Sequence, residues 1–255
     1  MLSEEIRKAK ARLLRMHFES RIGHIGGNLS CLDLLMYLHH KVLGKTDLFV
    51  LSKGHAAGAL YVTLWSIGKL TDTDLTTFHK DGTRLSGHPS ANWIPEITFG
   101  TGSLGHGLSL AAGVALGKQL KNEPGRVFCL ISDGELNEGS TWESLMFSMH
   151  RKIDNLTIIV DANGLQGFGA TREVADLGPP EQVISALGIA TTVINGHNLE
   201  EIESALSVTT AGPHAIVANT TKGFGVSFME NKMEWHYLSM TQAQYEKALK
   251  EIVRA

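Results

Sequence analysis

Over its second half the chain alternates between short runs that are apolar at nearly every position and longer segments in which apolar residues recur every three or four. The runs "RVFCLIS", "LTIIVD", "ATTVI" and "HAIVANT" read as strands, and "GSTWESLMFSMHR", "PPEQVISALG" and "NLEEIESALS" between them read as helices. Strands with no polar face, separated by helices, predict a parallel sheet covered on both sides. The first half is more helical. Ile6, Leu13, Leu14 and Phe18 give the first twenty residues one apolar face. A second helix is expected after Ser30 through "CLDLLMYLHHKVL", and a third through "AAGALYVTLWSIG" follows a short strand at "DLFVLS". The small residues of "GLSLAAGVALGKQL" suit a helix lying close to a sheet, and "TQAQYEKALKEIVRA" reads as an amphipathic helix. The expected fold is α/β, an open and mostly parallel sheet with helices on both faces, formed as a single domain over residues 1–255.

Two features break this pattern. The stretch from Leu70 to Gly107 is polar, rich in Gly, Thr and His, and too long for an ordinary connector, which marks it as functional. Charges also stand directly after apolar strands: Asp133 and Gly134 follow "RVFCLIS", Asp161 ends "LTIIVD" with Asn163 two residues on, and Lys222 follows "HAIVANT". Ligands of open α/β sheets bind beyond the carboxyl ends of the strands, where these residues fall. A glycine after Asp133 lets backbone pass close to an anion, and the helix that follows offers N–H groups to phosphate. An acid beside that anion calls for an intervening cation, and Mg2+ takes one or two carboxylates with phosphate and water completing its shell. The alternative is that Asp133 caps the following helix.

Composition narrows the function classes. A chain of 255 residues, 43% hydrophobic and 19% charged, can bury a full core. Its net charge of -3, with Lys and Arg scattered, excludes a surface built to neutralise nucleic acid. Neither the start "MLSEEIRKAKARLLRMHFES" nor any later stretch is apolar enough for a signal or a membrane span, so a cytoplasmic location is expected. Cys31 and Cys129 sit in apolar settings and are expected as buried thiols.

The spacing from "SDGELNEG" to "DANGLQ" resembles the signature that binds thiamine diphosphate through Mg2+, and "GHIGGNLS", "LSKGH", "SGHPS" and "GTGSLGHG" tie the resemblance to transketolases. It runs over almost the whole chain but corresponds only to the amino-terminal, diphosphate-binding part of a full-length transketolase. The resemblance implies that Asp133, Asn163 and the Leu165 carbonyl ligate Mg2+, with Gly134 against the diphosphate and His55 near the phosphates. Gly102 and Leu104 would line the aminopyrimidine and thiazolium, Lys222 would contact the cofactor, and Glu138 would face a partner domain. His24, His88 and His236 would line the substrate channel, where imidazoles that titrate near neutrality suit exchange of protons with sugar hydroxyls.

The resemblance further implies an enzyme subunit that transfers a two-carbon ketol unit from a ketose phosphate, or a similarly anionic sugar, to an aldose. The pyrimidine-binding and carboxy-terminal domains would reside on a separate partner chain, in a heterotetramer. The same cofactor class includes the diphosphate-binding subunits of 2-oxo acid dehydrogenases, and a noncatalytic module of the same fold is a further alternative. Three departures from the family pattern stand out: His106 replaces a usual glutamine, Ser132 precedes the acid where glycine is common, and "YLSM" follows His236. His197 reads as a satisfied or solvated turn histidine at a helix start, and His39, His40 and His150 as surface residues.

Overall fold

The computed structural model describes residues 1–254 and holds one five-stranded sheet: β1 (Leu48–Leu51), β2 (Val127–Ser132), β3 (Leu156–Ala162), β4 (Ala190–Asn195) and β5 (His214–Asn219). The spatial order is β1-β2-β3-β5-β4 and every neighbouring pair is parallel. Among the described residues the α-helices are α1 (Leu2–Ser20), α2 (Ile25–Tyr37), α3 (Ala57–Ser66), α4 (Asp72–Leu75), α5 (His106–Lys121), α6 (Gly139–His150), α7 (Thr171–Val174), α8 (Pro180–Ala186), α9 (Leu199–Leu206) and α10 (Gln242–Arg254).

The strand runs are apolar throughout because each face of the sheet has its own core. Phe128, Leu130, Ile159 and Ile216 meet Leu13 of α1, Leu32 of α2, Leu60 of α3, Ile202 of α9 and Ile252 of α10. One step along each strand, Cys129, Ile131, Ile158, Val160 and Val217 meet Ala111 and Ala115 of α5, Leu145 of α6 and Ile184 of α8. The period-two pleat thus buries both sets, and each large aliphatic contributes about 1.5–3 kcal/mol by leaving water. Cys31 and Cys129 lie in opposite cores as free thiols; burial pushes the Cys31 pKa up to about 12 and Cys129 well above its ordinary value. No helix among the described residues is long and apolar enough to cross a membrane.

Three expectations change. Helix α2 begins at Ile25, ahead of Ser30, so the Gly-rich "IGGN" forms its first turn, with His24 at its N-cap in a left-handed conformation, φ 67°. Its far end widens into a π-helical turn, Leu38–Val42, which carries His39 and His40 off the surface. The His39 ring packs edge-on to Phe49 at 5.0 Å, and His40 Nε2 lies 2.9 Å from Ser66 Oγ, so both are half-buried; His150 is exposed as expected. Strand β4 is less buried than its sequence implied, because it is a sheet edge with Val193 47% exposed.

Candidate active site

The carboxyl ends of β2, β3 and β5 open onto one cleft of about 380 Å3. Its lining includes every residue to which the resemblance gave a role in the site: His24, His55, His88, Gly102, Leu104, Asp133, Gly134, Glu138, Asn163, Leu165, Lys222 and His236. They arrive from six separate segments, which only a doubly covered parallel sheet with its long loops at one end brings together.

The floor is the β2 and β3 ends. Asp133 caps no helix: it opens the 3-10 turn Asp133–Asn137, which Ser132 and Glu135 close with a reciprocal capping box, and Glu138 is the N-cap of α6. Asp133 is thereby released toward the cleft wall. Its Oδ2 accepts from the N–H of Gly164 at 2.7 Å and the Thr171 hydroxyl at 3.0 Å, and its Oδ1 from the N–H of Gly134 at 2.8 Å. Burial and the charge of Asp161 raise its pKa to about 6. Asn163 Oδ1 accepts from the N–H of Leu165 at 3.1 Å, and the Leu165 carbonyl accepts from Lys222 Nζ at 3.0 Å. One buried carboxylate, one amide oxygen and one carbonyl are hard oxygen donors, and a divalent cation would relieve the charge that burial leaves costly at Asp133. The donor set therefore fits Mg2+ held jointly with a diphosphate. Lys222 adds a cation whose pKa is lowered to about 8 by burial and by Lys53.

Four imidazoles form the facing wall. The His24 ring lies 4.9 Å from that of His236, 5.6 Å from His55 and 5.8 Å from His88, and His55 lies 5.5 Å from His236. Burial, then their mutual repulsion and Lys222, depress His24 to about 4 and His236 to about 3; burial also lowers His55 and His88. The expectation of groups titrating near pH 7 is thus corrected: the wall is neutral there, and each ring has both a donor and an acceptor nitrogen. In His236 the tautomer follows from its partner. Lys222 Nζ lies 3.2 Å from Nδ1 and can only donate, so the ring proton sits on Nε2.

The remaining lip is open. Gly102 and Leu104 come from the long loop before α5, and Glu138 is exposed beside them. Gly105 has φ 79°, and a Cβ there would lie 2.7 Å from that of Glu138, so glycine is what lets this loop close against the start of α6. Phe168, 85% exposed, and Tyr237, 57% exposed, stand at the mouth. His106 starts α5, is exposed, and lies outside the cleft lining. His197 is structural: Nδ1 is 2.9 Å from Asp33, Nε2 accepts from the Thr221 N–H at 2.9 Å, and the ring stacks on Phe224 at 3.5 Å.

Three buried residues beneath the cleft were not anticipated. Glu135 receives Ser52 Oγ, the N–H of Gly105 and the N–H of Ser132, tying three cleft segments together. The spacing Ser132-x-x-Glu135 was its legible signal. Asn28 donates to the carbonyls of His24 at 2.8 Å and His55 at 3.0 Å, holding two of the imidazoles in register. Lys53, inside "LSKGH", pairs with Asp161, both fully buried. Burial alone would discharge them, but their mutual field holds the ammonium above and the carboxyl below its ordinary value.

The sequence profile described as "Transketolase, thiamine diphosphate binding domain" matches residues 15–252. An apulose-4-phosphate transketolase subunit from Phocaeicola vulgatus is 38% identical over 257 residues, covering 96% of this chain and 91% of that one. The 6-deoxy-6-sulfo-D-fructose transketolase subunit SqwG of a Clostridium species is 36% identical, covering 91% and 88%. Among solved structures, the Campylobacter jejuni transketolase superposes with a TM-score of 0.89 at 28% identity, over 99% of this chain and 42% of that one. The Leishmania mexicana transketolase shows the same fold, with a TM-score of 0.92 at 23% identity over 99% and 41%. This chain thus spans about two fifths of the length of those solved transketolases. The cleft, the profile and the near full-length relatives agree: the chain belongs to the transketolase family, as its thiamine-diphosphate-binding domain.

Proposed function

We propose that this chain is the diphosphate-binding subunit of a two-chain transketolase. It would transfer a two-carbon ketol unit from an anionic ketose to an aldose, together with a partner subunit that supplies the pyrimidine-binding side. The observation that carries this reading is the meeting, across one cleft, of a hard-oxygen floor at Asp133, Asn163 and Leu165 with a wall of four neutral imidazoles. Thiamine diphosphate, when bound, supplies the carbon nucleophile and electron sink for cleaving and forming bonds beside a ketose carbonyl. The chain's residues do the rest. Asp133, Asn163 and the Leu165 carbonyl hold Mg2+, and Lys222 adds positive charge beside them. Gly102 and Leu104 bound the part of the cleft nearest the open lip, while His55 stands on the inner wall.

His24, His88 and His236 read sugar hydroxyls. A neutral ring can donate to one oxygen and accept from another, and His236 presents Nε2–H because Lys222 occupies its Nδ1. A wall of this kind suits a polyhydroxylated substrate better than a 2-oxo acid, which lacks a matching row of hydroxyls. The relatives' names speak of a phosphorylated and a sulfonated sugar. No arginine lines the cleft among the described residues, and Lys222 is deep on the cofactor side. Recognition of the substrate's anionic tail is therefore assigned to the partner. Exposed Glu138, Phe168 and Tyr237 at the mouth suit a surface that the partner covers, and two such pairs around a two-fold axis make a heterotetramer with two cofactors.

The test is calorimetric titration of thiamine diphosphate into the assembled complex, with and without Mg2+. Asp133→Ala is expected to abolish the Mg2+-dependent binding. Unchanged affinity in Asp133→Ala and in the presence of chelator would refute the metal assignment.

A further inference from the structure

We infer that Asp161 is a positioning residue which obliges position 163 to carry an amide, with its oxygen turned to the cleft. The inference rests on the proposed role of Asn163 as a Mg2+ ligand. Asp161, next to last in β3, has no solvent exposure and accepts from four donors: Ser30 Oγ at 2.6 Å, Lys53 Nζ, Thr220 Oγ1 and Asn163 Nδ2 at 3.3 Å. Lys53 Nζ also reaches the Gly27 carbonyl at 3.1 Å, so the pair links β3 to the first turn of α2. All four partners donate to Asp161, one of them a fully buried ammonium that has no acceptor to offer, so the carboxylate stands there as an acceptor. On its other side Asn163 meets a pure donor, the N–H of Leu165 at 3.1 Å. An amide between an acceptor and a donor has one orientation that satisfies both. Its NH2 faces Asp161 and its oxygen faces away, toward the floor where Asp133 and the Leu165 carbonyl lie.

This explains a choice that ligand chemistry alone does not. A carboxylate binds a hard divalent cation more strongly than an amide does, so aspartate at 163 would be the better ligand in isolation. Beside Asp161 it would set two acceptor-only groups at hydrogen-bonding distance, with Asp133 a third acid nearby. Two acceptors so close have no donor between them, so the side chain at 163 turns from Asp161 and the oxygen meant for the metal is displaced. Position 161 thus decides what position 163 can be.

A charge swap tests this in the complex with the partner subunit, reading the Mg2+ half-saturation of thiamine diphosphate binding by calorimetry and melting temperature separately. Asn163→Ala is expected to raise the half-saturation by about tenfold or more, the usual range for a lost metal contact; no change there would overturn the ligand role of Asn163 and the inference with it. Asn163→Asp, although it adds a charge, is expected to weaken Mg2+ binding by about tenfold, and Asp161→Asn combined with Asn163→Asp to return it to within about threefold of the parent. A purely structural role for Asp161 predicts no such rescue. Tighter or equal Mg2+ binding in Asn163→Asp, or a folded swap variant no better than Asn163→Asp, would overturn the inference while leaving the metal site in place. Should the swap variant fail to fold, Asn163→Asp decides alone, since residue 163 is half-buried and its substitution spares the Lys53 pair.

Discussion

Glu135→Gln removes one charge from the hub that joins three segments of the cleft. The native carboxylate takes Ser52 Oγ and the Gly105 N–H (2.9 Å) on Oε1, and the Ser132 N–H (2.9 Å) and Ser132 Oγ (3.4 Å) on Oε2. Glutamine keeps one oxygen. If that oxygen stays with Ser52 and Gly105, its NH2 confronts the N–H of Ser132 and leaves a buried donor unpaired, at a cost of about 1–3 kcal/mol. The bonds that survive lose their charge assistance, about 1 kcal/mol more. Burial raises the pKa of Glu135, so removing its charge returns part of the loss. The net expectation is destabilisation by about 2 kcal/mol, which for a chain of this size lowers the melting temperature by about 4–8 °C. Thermal unfolding at pH 7 measures it, with Glu138→Gln as an exposed control expected within about 0.5 kcal/mol of the parent. A second consequence is local: with Gly105 released, Leu104 loosens, and thiamine diphosphate affinity of the complex should fall. Unchanged melting temperature and unchanged cofactor affinity in Glu135→Gln would refute the charged-hub account.

Alanine at His24 or His88 should lower turnover while leaving cofactor affinity nearly intact if, as proposed, these rings read the substrate; equal losses in both quantities would count against that division. Buried His17 and half-buried His39 are neutral, each held near pKa 4 by desolvation, against an ordinary value of 6.5. A folded pKa below the unfolded one gives stability that is complete above pH 6.5 and is lost as pH falls toward 4, to the extent of about 3 kcal/mol per ring. Unfolding curves between pH 7 and pH 4.5 should show the decline, and His17→Gln should flatten it; a stability independent of pH over that window would contradict the assignment. The purified chain alone should self-associate more than the complex, because Phe168, Tyr237, Met146 (52% exposed) and Phe147 (43% exposed) stay uncovered. Light scattering across a concentration series checks this, and a monodisperse lone chain at high concentration would argue against a large covered interface.

The sheet was legible because its inner strands β2, β3 and β5 are buried on both faces, and a two-sided core leaves few polar residues inside a run. Asp133, Asn163 and Lys222 were legible for the opposite reason: a charge or amide immediately after such a run has to face the crevice at the strand ends. Buried charge with a distant partner escaped the sequence. Lys53 and Asp161 lie 108 positions apart, and neither shows from its neighbours that it is buried. Asn28 escaped because the helix was expected to begin only after Ser30, whereas Gly26 and Gly27 are the thin part of its first turn, packed against Lys222 and His55. The lowered histidine pKa values likewise depend on packing, since burial and the three rings within 6 Å of His24 exist only in the folded chain.

The central claim is that this chain carries one side of a shared active site. Ketol transfer from an anionic ketose to an aldose, measured with thiamine diphosphate and Mg2+ at several concentrations of the lone chain and again after addition of the partner subunit, tests it most directly. The account predicts no transfer by the lone chain at any concentration and activity that saturates as the partner reaches equal stoichiometry. Robust transfer by the lone chain would contradict it.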